Sequence, residues 1–307
     1  MKPARVIKSI GNQCTLETSE GRILPGILKG KLRLKESEST NPIAVGDYVH
    51  IEWDATAQVA LITEVLPRHN YIIRKSNKLS KQTQILASNI DNAVLIVTPL
   101  FPKTSTGFVD RYIATAEAYH IKTILVFNKS DVFDGESAAL IDDYVAIYEP
   151  LGYTCLRTSA KNITGIEELK LLLKDKTSLV AGHSGVGKTS LINLLAPGVN
   201  LRTGKISKQH GKGMHTTTFA EMLHLPFGGY IIDTPGIREL GTVDFEKAEI
   251  SHYFVEMQAM MHQCKFHNCL HLNEAQCAVK QAVEVGTIHP MRYYNYLSIL
   301  NNEDNFN

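Results

Sequence analysis

Gly182-His183-Ser184-Gly185-Val186-Gly187-Lys188-Thr189 decides the fold through what flanks it. The apolar run at 178–181 predicts a buried strand before it, and the pattern at 189–195 predicts a helix after it. A strand, a loop of small residues ending in Gly-Lys-Thr, and a helix together read as a phosphate loop. Its backbone amides turn inward around phosphate oxygens, and the helix N-terminus adds positive potential. Lys188 is then expected to reach the β- and γ-phosphates. The Thr189 hydroxyl is expected to ligate Mg2+, with Ser190 beside it at the helix start.

Working outward, apolar runs at 92–98, 123–127 and 230–233 predict three further strands. Helical patterns at 109–120, 136–151 and 166–173 lie between them. Strands alternating with helices predict a parallel α/β sheet. Directly after the 123–127 strand stands Asn128-Lys129-Ser130-Asp131. The Asp131 carboxylate can accept from both N1–H and the 2-amino group of guanine. Adenine offers neither donor on that edge, and a buried carboxylate left unpaired can discriminate by roughly 10⁴-fold. Asn128 is expected to brace the loop, and the Lys129 stem to lie along the base plane. Ser159-Ala160-Lys161 supplies a backbone N–H, that of Ala160, aimed at O6. Asp233-Thr234-Pro235-Gly236 ends a strand. There Asp233 would hold Mg2+ through water, and the Gly236 N–H would sense the third phosphate. In an ordinary GTPase the phosphate loop comes first. Here the guanine elements precede it, so the predicted topology is circularly permuted.

Ile237 follows Gly236 where many GTPases carry a Gln that orients the attacking water. An aliphatic chain cannot do so, and slow intrinsic hydrolysis is expected. Help is available in Gly211-Lys212-Gly213-Met214-His215-Thr216-Thr217-Thr218. Thr217, with Thr216 as the alternative, would complete the Mg2+ shell. His215 is a candidate to position or deprotonate water.

Residues 4–66 read as five short strands separated by turns at Gly11-Asn12, Glu20-Gly21, Pro25-Gly26 and Gly46-Asp47. This pattern predicts a small closed barrel of the OB-fold type, another small β-barrel or sandwich being the alternative. Residues 35–42 are polar and read as a loop. Basic residues cluster in three runs. Residues 1–35 carry eight Lys and Arg against two Glu, a local charge of +6. The second run holds Arg68, Arg74, Lys75, Lys78 and Lys81, and the third holds Arg202, Lys205, Lys208 and Lys212. Three such runs favour an anionic partner such as RNA.

From about residue 245 the chain reads as helical, with one helix over 245–263 and another largely over 281–300. Between them, Cys264, Cys269, His271 and Cys277 offer four ligands for a closed tetrahedral Zn2+ site, which is structural because no position is left open. His262 and His267 are competing ligands.

The whole chain has 307 residues, 44% of them hydrophobic and 21% charged, with a net charge of +1. These values fit two or three globular domains and place no bulk charge of nucleic-acid-binding size on the molecule. No run has transmembrane length, the N-terminal residues lack a signal-peptide core, and five cysteines do not make a disulfide scaffold. A reduced, cytoplasmic protein is expected.

Taken together, the permuted motif order, the Gly-Lys-Thr loop, His215-Thr216-Thr217-Thr218, Asp233-Thr234-Pro235-Gly236-Ile237-Arg238-Glu239-Leu240 and the Cys/His cluster resemble the RsgA (YjeQ/EngC) family of ribosome small-subunit-dependent GTPases. Asn89-Ile90-Asp91 and Asp110-Arg111-Tyr112 also fit. The resemblance implies a multidomain chain with an OB-fold at 1–74, a circularly permuted GTPase domain at 75–245 and a helical zinc-binding domain at 246–307. It implies GTP hydrolysis stimulated by the small ribosomal subunit, a role late in that subunit's maturation, and His215 as the catalytic histidine. Expected partners are the small subunit with its rRNA, and GTP or GDP, with no membrane and the chain as a monomer. Two positions depart from the pattern. Met214 stands where a basic residue is expected, and His183 occupies a phosphate-loop position that usually holds a different polar residue.

Overall fold

The structure is a computed structural model that describes residues 2–11, 13–29, 42–75, 83–198, 220–233 and 245–301. The chain forms two compact units interleaved along the sequence. One comprises Met1–Ala93, Glu167–Ala181 and Lys188–Arg238; the other comprises Val94–Ile166, Gly182–Gly187 and Glu239–Asn307.

The first unit holds the barrel. Its strands are β1 (Lys2–Ile10), β2 (Gln13–Thr18), β3 (Ile23–Leu28), β4 (Tyr48–Asp54) and β5 (Val59–Val65). They run in the order β1-β2-β3-β5-β4, and β4 returns to pair with β1 from Lys2↔Ile51 to Arg5↔Tyr48. Only β3 and β5 are parallel. This closed five-stranded order is the one expected of an OB-fold. Alternation does the rest: Ala4, Val6, Leu16, Val49, Ile51, Ala60 and Ile62 point inward and are buried. The predicted turn at Pro25-Gly26 is absent, because both residues lie inside β3. Gly26 is there for clearance: a Cβ on it would stand 2.6 Å from Leu16 Cδ1 and 2.8 Å from Cys14 Sγ. The 35–42 loop lies outside the described residues, save Pro42.

The same unit continues past the barrel. Lys8 of β1 pairs with Glu221 of the Glu221–His224 strand. That strand runs antiparallel to Tyr230–Asp233, which in turn runs parallel to Thr177–Gly182. A second hairpin, Tyr71–Lys75 with Thr83–Ser88, is not foreseen by the sequence pattern. Asp47, fully buried at the barrel's end, anchors it. Its two oxygens take Arg68 at 2.6 and 2.7 Å, the Ser88 hydroxyl at 2.6 Å and the Ala44 N–H at 2.8 Å.

Among the described residues, several of the basic side chains read from the sequence are held by partners within the chain. The Arg5 guanidinium lies between the rings of Tyr48 and Tyr230, 4.9 and 4.8 Å from their centroids, and donates to Thr177. Lys8 pairs with Glu221, Lys29 with Glu52, and Lys2 and Arg22 with Glu20. The surface pairs remain available to solvent, but Arg5 and Arg68 are structural.

The Thr154–Arg157, Lys122–Phe127 and Asn92–Val97 strands lie side by side in that order; the first two and the Val94–Val97 part of the third belong to the second unit. All six residues of the last are buried, as a strand covered on both faces requires. Helices Thr106–Ala118 and Gly135–Tyr148 accompany them. The first starts ahead of its predicted position because the Ser105 hydroxyl caps it, accepting from Phe108 N–H.

The predicted helix over 245–263 does not form. In its place are a 3₁₀ turn at Ile250–Tyr253, one short helix at Val255–Gln258 and a second 3₁₀ turn at Met261–Gln263. Phe254 interrupts it, with extended backbone at φ −108°, ψ 102°. Its fully buried ring packs edge-on against Tyr296. Packing of that ring outweighs local helix propensity. The 281–300 stretch likewise divides into Ala278–Glu284 and Pro290–Leu300, broken around Gly286 at φ +79° and restarted by Pro290. No helix among the described residues is long and apolar enough to cross a membrane.

Candidate functional site

The guanine loop and the phosphate-loop backbone meet in the second unit. Asn128 ends the Lys122–Phe127 strand and is 1% exposed. Its Nδ2 donates to the Val186 carbonyl at 2.8 Å, and its Oδ1 accepts from Thr158 Oγ1 at 3.0 Å. Gly187 permits this approach. At φ +95° it adopts a conformation L side chains rarely tolerate, and a Cβ there would lie 2.3 Å from Asn128 Nδ2.

Lys129 is left-handed (φ 65°, ψ 33°), which sends its side chain back over the loop. Its ammonium donates to the Phe101 carbonyl at 2.8 Å. Asp131 lies within the 3₁₀ turn Ser130–Val132, its side chain 6% exposed. Its Oδ1 accepts from the Ser159 hydroxyl at 2.6 Å, and Lys161 Nζ stands 3.9 Å from Oδ2. Ser159 and Thr164 exchange backbone bonds at 3.0 and 3.1 Å, fixing the loop that carries Ala160. The carboxylate is thereby aimed, desolvated and left with acceptor capacity for a ligand edge.

The remaining signature residues divide between the units. Gly182, His183, Ser184, Gly185, Val186 and Gly187 belong with the guanine residues. Val186 is fully buried, and the His183 ring lies 4.0 Å from that of Phe108. Lys188, Thr189 and Ser190 open the Lys188–Leu195 helix of the first unit, where Lys188 Nζ lies 3.3 Å from Asp233 Oδ1. Gly236, Ile237, His215, Thr216, Thr217 and the 202–212 basic run lie outside the described residues.

The C-terminal cluster forms as predicted. One donor atom from each of Cys264, Cys269, His271 and Cys277 lies within 4.8 Å of the others. Cys264 Sγ is 3.9 Å from Cys277 Sγ and 3.7 Å from His271 Nδ1, which is 3.4 Å from Cys277 Sγ. A tetrahedral zinc with Zn–S of about 2.3 Å needs ligand edges of about 3.6–3.8 Å, so the donor set fits that ion. The neighbouring His262 and His267 are not in the cluster. His271 is left-handed at φ +57°. The Glu274 carboxylate shapes the knuckle by accepting from Leu270 and Leu272 N–H at 2.8 and 2.7 Å. Burial alone would raise its pKa, but these backbone bonds prevail and hold it below the usual range.

Some supports carry no sequence signal. Thr158 and the Phe101 carbonyl touch the guanine loop from positions outside any motif. A buried charge network joins Asp110 to Arg292, Glu256 and Asn295, residues far apart in the sequence.

Comparison with known proteins agrees with this geometry. The RsgA GTPase family profile matches residues 65–243. "Small ribosomal subunit biogenesis GTPase RsgA 2" of Bacteroides thetaiotaomicron is 46% identical over 299 residues, covering 97% of this chain and 96% of its own. The crystal structure of YjeQ from Thermotoga maritima superposes with a TM-score of 0.81 at 37% identity, covering 98% of both chains. The structure described as YloQ, a circularly permuted GTPase, gives a TM-score of 0.77 at 28% identity over 98% of this chain and 94% of its own. The chain belongs to the RsgA GTPase family of GTP-hydrolysing enzymes.

Proposed function

We propose that this enzyme binds the small ribosomal subunit, hydrolyses GTP to GDP and phosphate when so engaged, and acts late in the subunit's maturation in the cytoplasm. The observation that carries the nucleotide reading is the Asn128–Val186 hydrogen bond, with Asp131 oriented by Ser159 beside it. It docks a guanine-selective loop directly on a phosphate loop. The name of these relatives, small ribosomal subunit biogenesis GTPase, supports the ribosomal partner.

In this reading Asn128, Lys129, Asp131, Ser159, Ala160 and Lys161 hold the base. Residues 182–190 and Lys188 in particular hold the phosphates, while Asp233 and Gly236 answer to the third. Thr189 and Thr217 hold Mg2+, which neutralises charge on the phosphate oxygens. Zinc bound by Cys264, Cys269, His271 and Cys277 is structural. The barrel at 1–74 and the helical segment at 246–307 flank the permuted GTPase segment at 75–245 and face RNA.

His215 serves as the catalytic group toward water, and Ile237 leaves the isolated enzyme slow. The test is phosphate release from GTP titrated with purified small subunits. His215→Ala is expected to lower the stimulated rate by about a hundredfold or more, with nucleotide affinity little changed. Full stimulation of that variant would remove His215 from the mechanism. No stimulation of the parent chain would favour a second reading kept alive by Ile237, an RNA-binding scaffold with a very slow nucleotide site.

A further inference from the structure

The Thr106–Ala118 helix belongs to none of the nucleotide motifs, yet two of its residues touch different functional parts. Phe108 lies against His183 of the phosphate loop, with ring centroids 4.0 Å apart and planes tilted by 37°. Asp110 follows two positions later, a rotation of about 200° around the helix, and so faces the other way.

Asp110 is fully buried. It accepts from Arg292 Nη1 at 2.6 Å, Asn295 Nδ2 at 2.6 Å and Tyr148 Oη at 2.7 Å. Arg292 is 1% exposed. Its other edge donates twice to Glu256, at 2.7 and 3.0 Å, and its guanidinium covers the Phe254 ring at 4.5 Å. A desolvated pair of this kind does not slide. Moving one partner leaves an uncompensated charge in the interior, so the contact is either made or broken.

Arg292 and Asn295 sit on the Pro290–Leu300 helix, and that helix also grips the metal knuckle. Tyr293 Oη donates to the carbonyl of His271 at 2.6 Å, and Tyr296 Oη to that of Leu270 at 2.8 Å. Every link from the phosphate loop to a metal-ligating residue is therefore a named contact: His183 to Phe108, Asp110 to Arg292 and Asn295, Tyr293 to His271.

We infer that the phosphate loop and the Cys264/Cys269/His271/Cys277 cluster are thermodynamically coupled sites, joined through these two helices, so that nucleotide and zinc each raise the other's affinity. Both ligands order ends of one connected strut, and the second to bind has less left to order. The inference rests on the nucleotide and zinc assignments above. A coupling factor of about five- to tenfold is expected, at the lower end of the usual range.

The experiment uses the full chain. GDP affinity is measured with Mg2+ present, zinc-loaded and after zinc removal; zinc affinity is measured by competition with a chelating dye, with and without GDP. Linkage requires the two factors to be equal. Phe108→Leu keeps the apolar packing but removes the ring against His183, and Tyr293→Phe removes only the hydroxyl to His271. Neither residue is a ligand contact, so each single-ligand affinity is expected to stay close to that of the parent chain while the factor falls toward one. Factors of one in the parent chain, with both ligands bound, would overturn the coupling alone. A factor that survives both substitutions would overturn the route through the helices. Failure of GDP or zinc to bind at all would overturn the underlying site assignment and the coupling with it.

Discussion

Replacing Asp131 with asparagine should exchange the base preference of the nucleotide site. The carboxylate is 6% exposed, and one oxygen is already oriented by Ser159 at 2.6 Å. Little water is available to compensate a lost partner. Guanine presents two donors to this group, and hydrogen bonds to a charged acceptor are worth about 1.5–3 kcal/mol each. Asparagine keeps one acceptor oxygen but turns an NH2 toward a ligand donor. One charge-assisted bond is lost and a buried donor is left unpaired, so the expected cost is about 3–4 kcal/mol, or two to three orders of magnitude in GDP affinity. Xanthine carries a carbonyl where guanine has its 2-amino group, so the carboxamide can donate there and accept from N1–H. Xanthosine diphosphate should therefore overtake GDP on D131N. Competition titration against a fluorescent nucleotide measures both. The reasoning is refuted if GDP weakens by less than about threefold, or if both diphosphates weaken equally.

Gly26→Ala pushes a methyl group into the Leu16 and Cys14 side chains of the barrel. A loss of about 1–3 kcal/mol is expected in chemical denaturation, with nucleotide affinity unaffected. Arg292→Met leaves Asp110 and Glu256 buried without their cation and should cost about 3–5 kcal/mol; adding Asp110→Asn and Glu256→Gln should recover part of it, measured on the same denaturation curve. Burial opposes the Arg292 charge, but Asp110 and Glu256 outweigh it and hold its pKa well above the ordinary value, so neutralising it by raising pH is not a substitute for the mutation. Chelation of zinc should raise amide exchange across the C-terminal core around Phe254 and Tyr296 while leaving β1–β5 protected, since those residues form separate cores. Equal exchange in both regions would contradict a local structural role for the metal.

The local patterns in this chain were decisive wherever chemistry and secondary structure depend on neighbours. The phosphate loop is legible because a strand, small residues and a helix must follow in sequence. The C-terminal donor cluster is legible because four candidate ligands fall within fourteen residues. Motif order alone reveals the permutation, and alternation alone reveals the barrel strands.

Tertiary structure decided what depends on residues far apart. Gly26 reads as a turn residue and is a clearance residue inside a strand, because the Leu16 and Cys14 side chains of the adjacent strand close over it. The 245–263 stretch reads as one helix and is broken at Phe254, because the burial of that ring against Tyr296 prevails over propensity. Arg5 reads as part of an RNA-facing run and is clasped between Tyr48 and Tyr230. Asp110 and Arg292, separated by 182 positions, show no pattern at all in the sequence. A charge can be buried only where folding delivers its partner, and that delivery is a property of three-dimensional packing, not of spacing along the chain.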